Sequence, residues 1–281
     1  MIAYPHINPD IVRIGPLALR WYGAMYAIGF LASNLLVRFQ IRTLYGPRGS
    51  RGIRAIPEDF LDNLYVYLIA GLIVGARVGY VLFYDLRLYL ADPLEIFAVW
   101  HGGMSFHGGL IGCITAGVWC CRRFQVAPLL VADLVSVTAP IGLGLGRIGN
   151  FINGELFGRV TDASWGMVFP NGGPLPRHPS QLYEFLLEGV VLFAILWTLR
   201  RRPWPPGVLA SVFLVLYGAA RFCVEFFREP DPQLGFVLVN TFTMGQVLSG
   251  LMAAAGIAGA VYFSRKKASR SQTRHGSSLK E

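Results

Sequence analysis

The chain has 281 residues, of which 54% are hydrophobic and only 15% charged, and its mean hydropathy is +0.49. Ordinary globular proteins have about 25% charged residues, because their surfaces need charge for solubility. This composition excludes a disordered chain, a soluble secreted scaffold and a typical cytosolic enzyme. The net charge of +9 comes from residues near the ends of apolar runs, without a basic stripe interleaved with aromatics, so nucleic acid is not an indicated partner.

Seven apolar segments approach the length of about 20 residues that a helix needs to cross a hydrocarbon core. We therefore predict an all-α, polytopic membrane bundle of about seven helices, forming one transmembrane domain over residues 1–281. The predicted spans are residues 19–41, 60–84, 105–121, 129–148, 180–199, 208–227 and 239–263.

The loops differ in their content of lysine and arginine. Sixteen of the 25 basic residues lie in one set of alternate loops and in the tail, and such loops stay in the cytoplasm. We therefore expect a periplasmic N-terminus, a basic cytoplasmic tail over residues 264–281, and a small exterior cap over residues 150–179. No removable signal peptide is evident, so the first helix is expected to direct membrane insertion.

Ionisable side chains inside a span cost about 2.5 kcal/mol or more on insertion scales, so each is a functional hypothesis. Those near the predicted exterior half are Arg20, Arg77, His107, Arg147, Glu155, Glu184, Arg221 and Glu225. Arg77 lies in a run with glycine at every fourth position, which chiefly indicates close helix packing.

Arg147 follows three alternating glycines, Gly142, Gly144 and Gly146. Glycines thin a helix and allow a headgroup to approach, and a guanidinium matches a phosphate with two parallel hydrogen bonds. These features favour an anionic lipid headgroup as the partner of Arg147. The alternative is an arginine whose charge reaches water at the helix end.

Tyr217, Arg221 and Glu225 are spaced by four residues and share one helix face, and Arg228 follows one turn later. Two interpretations remain open for this face. Arg221 acts on a substrate, or Arg221 and Glu225 neutralise each other inside the bundle.

His107 lies between two glycine pairs at the start of the third predicted span. A neutral imidazole there could accept a proton from a thiol, whose ordinary pKa of about 8.5 leaves little thiolate at neutral pH. The alternatives are a helix cap or a packed hydrogen-bond donor. The four cysteines lack a CxxC motif and histidines at ligand spacing, so a metal site is not indicated.

The segment GRIGNFINGE at residues 146–155 resembles the signature of the prolipoprotein diacylglyceryl transferase family. Four further blocks resemble the family in the same order: WYG at 21–23, MSFHGG at 104–109, RHPSQLYE at 177–184 and YGAARFCVEFFR at 217–228. The resemblance implies a seven-helix enzyme of the bacterial inner membrane. Such an enzyme moves the diacylglyceryl group of phosphatidylglycerol onto the lipobox cysteine of a prolipoprotein and releases glycerol 1-phosphate, the first step of lipoprotein maturation.

The resemblance also implies roles for particular residues. We expect catalytic roles for His107, Arg221, Glu155 and Tyr22, and substrate-binding roles for Arg147, Asn150, Gly158, Tyr217, Glu225 and Arg228. The expected partners are phosphatidylglycerol, prolipoproteins with a lipobox cysteine and the bilayer, with neither a metal nor an organic cofactor. A transporter or flippase of anionic lipids is the alternative function, although no inverted repeat supports it. A noncatalytic assembly factor is a second rival.

Overall fold

The computed structural model describes residues 2–5, 7–15, 17–45, 56, 57, 59–98, 102–230, 236–238 and 241–278. Arg48, Arg51 and Arg54 of the predicted cytoplasmic loops lie outside the described residues, as do residues 279–281 of the predicted tail.

The described chain is mostly helical, as the composition predicts. Its α-helices are α1 (Trp21–Gln40), α2 (Phe60–Phe83), α3 (Leu86–Ala91), α4 (Phe106–Arg123), α5 (Pro128–Ile152), α6 (Ser180–Glu184), α7 (Leu192–Leu199), α8 (Val208–Val224) and α9 (Met244–Ser278). A π-helical turn, Ile41–Tyr45, follows α1, and a second π-helical segment, Phe185–Val191, joins α6 to α7. A 3₁₀ turn covers Pro93–Phe97. Two antiparallel hairpins are added, β1 (Asp10–Ile14) with β2 (Leu17–Arg20), and β3 (Phe236–Leu238) with β4 (Phe242–Thr243).

Each of the seven predicted spans contains a helix, and the prediction of a polytopic membrane protein is confirmed. Among the described residues, five helical stretches are long and apolar enough to cross a membrane: Trp21–Tyr45, Phe60–Phe83, Pro128–Ile152, Ser180–Leu199 and Met244–Lys266. The stretch Val208–Val224 is apolar but shorter, and α4 is rich in glycine. The number of seven spans is therefore approximate.

Several helix boundaries differ from the prediction, and the largest difference is that helix α9 extends to Ser278 rather than ending at residue 263. Helix α5 continues to Ile152 rather than ending at residue 148, because the first turn-forming glycine is Gly154, with φ of +66°. Helix α9 begins at Met244 rather than residue 239, after the β3–β4 hairpin. A capping box fixes this start: Thr243 Oγ1 accepts from the Gln246 amide (3.2 Å), and Gln246 Oε1 accepts from the Thr243 amide (3.1 Å).

The chain forms two compact units, residues 40–131 and the remainder of the chain. In the first of these, glycines bring α2 and α4 into direct backbone contact. A Cβ atom on Gly79 would lie 2.7 Å from Gly108 Cα, and one on Gly75 would lie 2.8 Å from Gly112 Cα. The close packing predicted from the glycine spacing around Arg77 is confirmed.

In the larger unit, α5 touches the π-helical segment through a pair of glycines. A Cβ atom on Gly144 would lie 3.0 Å from Gly189 Cα, so neither position has room for a side chain without separation of the helices. Helix α8 packs against α9 in a similar way, since a Cβ atom on Gly218 would lie 2.7 Å from the Ser249 carbonyl oxygen. These contacts bring polar residues of α5, α6 and α8 together.

The segment between α5 and α6 is folded around its own small core. Tyr4, Phe151, Met167 and Phe169 are buried together, and the Tyr4 hydroxyl donates to the Phe151 carbonyl at 2.6 Å. The predicted cap begins inside α5 rather than at a loop, because Asn150 belongs to that helix. Its exterior location stays a prediction.

Candidate functional site

Arg147 of α5 faces two carboxylates of the continuous helix that α6, the π-helical segment and α7 form together. Its Nε lies 2.7 Å from Glu184 Oε2, and its Nη2 lies 3.6 Å from Glu188 Oε2. Both glutamate side chains are fully buried. The Gly144–Gly189 contact permits this pairing, because each glycine is within five residues of the charges on its own helix.

Arg221 of α8 reaches the same carboxylates from another helix. Its Nη1 donates to Glu184 Oε1 at 2.7 Å and lies 4.0 Å from Glu188 Oε1. Its Nη2 lies 2.6 Å from Glu225 Oε2. Arg221 and Glu225 therefore form the ion pair expected from their spacing, and Arg221 also binds a carboxylate of α6. The role of Arg221 towards a substrate stays a prediction.

Three further contacts complete this group, which we name the arginine–carboxylate cluster. Glu225 Oε1 accepts from Thr243 Oγ1 at 2.9 Å, Tyr217 lies close enough to Arg147 to interact with it electrostatically, and Arg228 Nη1 lies 3.8 Å from Glu184 Oε1. The cluster consists of Arg147, Arg221, Arg228, Glu184, Glu188, Glu225 and Tyr217. Three guanidinium groups face three carboxylates, and this balance reduces the cost of burying each charge.

A second group of predicted residues borders a cleft in the same unit. Glu155 is exposed, and its Oε1 accepts from Asn150 Nδ2 at 2.9 Å and from Asn153 Nδ2 at 3.1 Å. The cleft has a volume of about 330 Å³ and is lined by Asn8, Pro9, Asp10, Arg20, Asn153 and Glu155. We name it the polar cleft.

Tyr22 links the polar cleft to the arginine–carboxylate cluster. Its ring packs on α5, where a Cβ atom on Gly149 would lie 2.8 Å from the ring. Its hydroxyl is 3.1 Å from that of Tyr26, and it interacts electrostatically with both Glu155 and Arg147.

Gly158 contributes through its backbone. Its amide donates to the His178 carbonyl at 2.8 Å, and it forms a β-bridge with Arg228. A Cβ atom there would lie 2.7 Å from that of His178. Burial lowers the pKa of His178 from its ordinary value, and its Nδ1 lies 3.1 Å from the Tyr183 hydroxyl. Gly158 thus supports the chain segment that carries Arg228.

His107 belongs to the other compact unit and is exposed at the second residue of α4. Its ring packs edge-on against Phe106, with centroids 5.6 Å apart. The helix cap is Ser105, whose Oγ accepts from the Gly108 amide at 3.2 Å. The interpretation of His107 as a cap is therefore wrong, and its exposure also argues against a packed donor.

The structure accounts for Arg77 and Arg20 differently. Arg77 is buried, and its guanidinium donates to backbone carbonyl groups, including those of Ile96 at 2.8 Å and Gly102 at 2.6 Å. Arg20 is exposed at the end of β2 and lies 3.4 Å from Asp10. Arg77 therefore has a structural role, and Arg20 borders the polar cleft.

Sequence reasoning gave Glu184 no role and did not single out Glu188. Their spacing was the available signal, because two glutamates four residues apart in an apolar helix face the same side. Among the described residues, no group of three or more His, Cys, Asp or Glu side chains could hold a metal ion.

The apolar helices and the buried arginine–carboxylate cluster define a multi-pass membrane protein with a polar site within its spans. A family model described as prolipoprotein diacylglyceryl transferase matches residues 9–262.

Three similar proteins are each called phosphatidylglycerol--prolipoprotein diacylglyceryl transferase. That of Geobacter sulfurreducens is 52% identical over 264 residues, which cover 94% of this chain and 98% of the relative. That of Desulfotalea psychrophila is 53% identical, covering 90% and 92%, and that of Pseudomonas paraeruginosa is 48% identical, covering 96% and 98%. The chain belongs to the prolipoprotein diacylglyceryl transferase family, and it is a membrane-bound transferase of lipoprotein biosynthesis. The resemblance drawn from the sequence is confirmed.

Proposed function

We propose that the protein transfers the diacylglyceryl group of phosphatidylglycerol to the lipobox cysteine thiol of prolipoproteins and releases glycerol 1-phosphate. One observation carries this proposal: Arg147 and Arg221, from two helices, meet at the same buried carboxylate of Glu184. Two guanidinium groups held this close form a binding site for one phosphodiester. The names of the relatives supply the identity of the lipid and of the acceptor protein.

The arginines would stabilise the leaving group. As the bond between the glyceryl carbon and the phosphate oxygen breaks, negative charge grows on the phosphate. Arg147 and Arg221 are already oriented by their carboxylates, so they need little rearrangement to bind this charge in a site of low dielectric. The two arginines bind the more negative phosphate of the transition state more strongly than that of the ground state, and this difference raises the rate of transfer.

We assign the general base to His107. The imidazole accepts the thiol proton, and the thiolate sulfur attacks the glyceryl carbon and forms the thioether. The bond from that carbon to the phosphate oxygen breaks, and its electron pair leaves with glycerol 1-phosphate. An exposed imidazole that does not cap its helix is free for this role.

The pH dependence of a variant tests the role of His107. The substitution His107→Gln keeps a hydrogen-bonding side chain and removes the basicity, so transfer at pH 7 is expected to fall about 10² to 10⁴-fold. Raising the pH should partly restore the rate, because more of the thiol is then ionised. Normal transfer by His107→Gln at pH 7 would assign the proton to another group, with Glu155 or Tyr22 the next candidates.

The polar cleft is suited to the headgroup glycerol. Asn150 and Asn153 both donate to Glu155 Oε1 and leave Oε2 without a bond to either of them. Tyr22 interacts with Glu155 in this cleft and with Arg147. We assign Glu155, Asn150 and Tyr22 to hydrogen bonds with the glycerol hydroxyls and adjacent phosphate. Tyr217, Glu225, Arg228 and Gly158 keep the arginines in position for the phosphate.

We also propose an inner-membrane location, with the N-terminus in the periplasm and the C-terminus in the cytoplasm. The placement of 16 of the 25 basic residues supports this orientation. A phosphatase reporter fused after Lys280 should be inactive, because the reporter folds only in the periplasm. Strong reporter activity would reverse the orientation.

Reconstitution tests the reaction itself. Purified protein in phosphatidylglycerol vesicles is mixed with a peptide that carries a lipobox cysteine. Glycerol phosphate and a peptide heavier by one diacylglyceryl group should form in equal amounts. A peptide with serine in place of cysteine serves as the control and should release none. A lipid transporter or an assembly factor would release none with either peptide.

A further inference from the structure

Glu184 and Glu188 face the same two arginines but contact them differently. Glu184 has one oxygen 2.7 Å from Arg147 and the other 2.7 Å from Arg221. Glu188 lies 3.6 Å and 4.0 Å from the same two guanidinium groups. Both side chains are fully buried, and neither oxygen of Glu188 has a hydrogen-bond partner.

An arrangement of this kind is costly for a carboxylate. A buried ionic group is stable only when close hydrogen bonds replace the water that it has lost. Glu184 has a hydrogen bond from Arg221 and a 2.7 Å ion pair with Arg147, whereas Glu188, one helical turn away, has neither a hydrogen bond nor an ion pair this short. Glu188 belongs to the π-helical segment and precedes Gly189, which contacts Gly144.

The geometry points to Glu188 as a displaceable counter-charge, which balances Arg147 and Arg221 in the free enzyme and yields them to the substrate phosphate. Glu184 remains bound and holds both arginines in place. This inference rests on the proposed function in one respect, namely that a phosphate group binds between these arginines.

Two features of the cluster support the exchange. First, the donors that face Glu188, Arg147 Nη2 and Arg221 Nη1, are farther from it than the 2.7–3.2 Å of a hydrogen bond, so a phosphate oxygen can bind them more closely. Second, the guanidinium charges of the cluster are already balanced by its three carboxylates. An arriving phosphate therefore adds an excess negative charge unless one carboxylate gives up its contacts, and Glu188 has the weakest.

The test compares the same substitution at two positions one turn apart. With Glu188→Gln, a competing negative charge is removed, so KM for phosphatidylglycerol and the inhibition constant of added sn-glycerol 1-phosphate should both fall about tenfold, which corresponds to about 1.4 kcal/mol. With Glu184→Gln, the arginines lose their anchor, so the inhibition constant should rise and kcat should fall. The inhibition constant should thus change in opposite directions in the two variants. If the site simply needed negative charge at both positions, the two variants would change it in the same direction.

Glu188→Asp provides a second variant if the glutamine protein does not fold. Its carboxylate is withdrawn from the arginines by one carbon, so both constants should fall about threefold. Unchanged or higher constants in a folded Glu188 variant would overturn the inference. If the wild-type protein itself released no glycerol phosphate, the proposed function would fail instead, so the two failures are distinguishable.

Discussion

Arg77 and Arg147 are both arginines of apolar helices, and their partners differ in kind. The guanidinium of Arg77 donates to five backbone carbonyl groups, those of Ile96, Gly102, Gly103, Glu95 and Ala98. Arg147 instead faces the side chains of Glu184, Glu188 and Tyr217. Backbone carbonyls cannot leave without unfolding the segment, whereas a carboxylate can move to another rotamer.

Burial of an arginine in a membrane span does not by itself mark a reactive site. The partners decide the role: carbonyl partners make Arg77 a clamp for the segment after α3, and carboxylate partners leave Arg147 able to exchange ligands.

Among the arginines and the residues that contact them, the largest effect is expected at Arg147. The substitution Arg147→Lys keeps the charge and removes the planar fork that binds two oxygens at once. Transfer should fall about 10² to 10³-fold, the range seen when a preorganised donor to a developing charge is lost, while the protein still inserts and folds. Release of glycerol phosphate per folded molecule is the measurement. A lysine variant with a near wild-type rate would show that fork geometry is not what Arg147 supplies.

The next effect concerns Arg221 and its two carboxylate partners. Arg221→Gln and Glu225→Gln should each lower transfer, and Arg221→Gln should be the more severe. The double variant should not recover, because Arg221 also binds Glu184 (2.7 Å) and is proposed to bind the phosphate. A double-mutant cycle on transfer rates measures the coupling. Restored activity in the double variant would favour simple neutralisation.

A smaller and different effect is expected at Arg77. Arg77→Lys leaves several backbone carbonyls without a donor and should lower the free energy of unfolding by about 2 to 4 kcal/mol. The midpoint of thermal unfolding in detergent reports this loss. Transfer per folded molecule should stay close to that of the wild type. A stable but inactive Arg77→Lys protein would contradict the assignment of a structural role to Arg77 and a substrate-binding role to Arg147.

The smallest effect concerns the contact that brings α5 to the carboxylates. A methyl group on Gly144 would meet Gly189 Cα at 3.0 Å and Phe185 at 3.2 Å. Gly144→Ala should therefore lower stability by about 1 to 3 kcal/mol through overpacking, and transfer should fall as Arg147 moves from Glu184. Gly142→Ala is the matched control, because a Cβ atom there meets nothing within 4 Å. Equal behaviour of the two variants would contradict the role of the glycine contact.

Much of the fold and part of the site could be predicted from sequence. Apolar runs located the helices, glycine spacing predicted close packing of α2 without naming its partner helix, and the four-residue spacing of Tyr217, Arg221 and Glu225 predicted a polar face on α8. These signals are local, since each depends on periodicity within one helix.

The remaining features depend on contacts between distant residues. Arg221 and Glu184 are 37 positions apart, and no periodicity within either helix predicts that they pair. Glu188 lies in the π-helical segment, where the spacing of side chains around the helix differs from that of an α-helix. The apolar sequence of this segment resembles that of an ordinary α-helix, so the sequence does not predict the difference. The strands β1 to β4 were all missed, because none of them is longer than five residues.

A structure determined with phosphatidylglycerol bound tests the central claim most directly. We expect the lipid phosphate between Arg147 and Arg221, with its oxygens within about 3 Å of both guanidinium groups. Glu184 should keep its contacts, and Glu188 should have moved away from the arginines. A phosphate bound elsewhere, with Arg147 and Arg221 still facing both glutamates, would contradict the account.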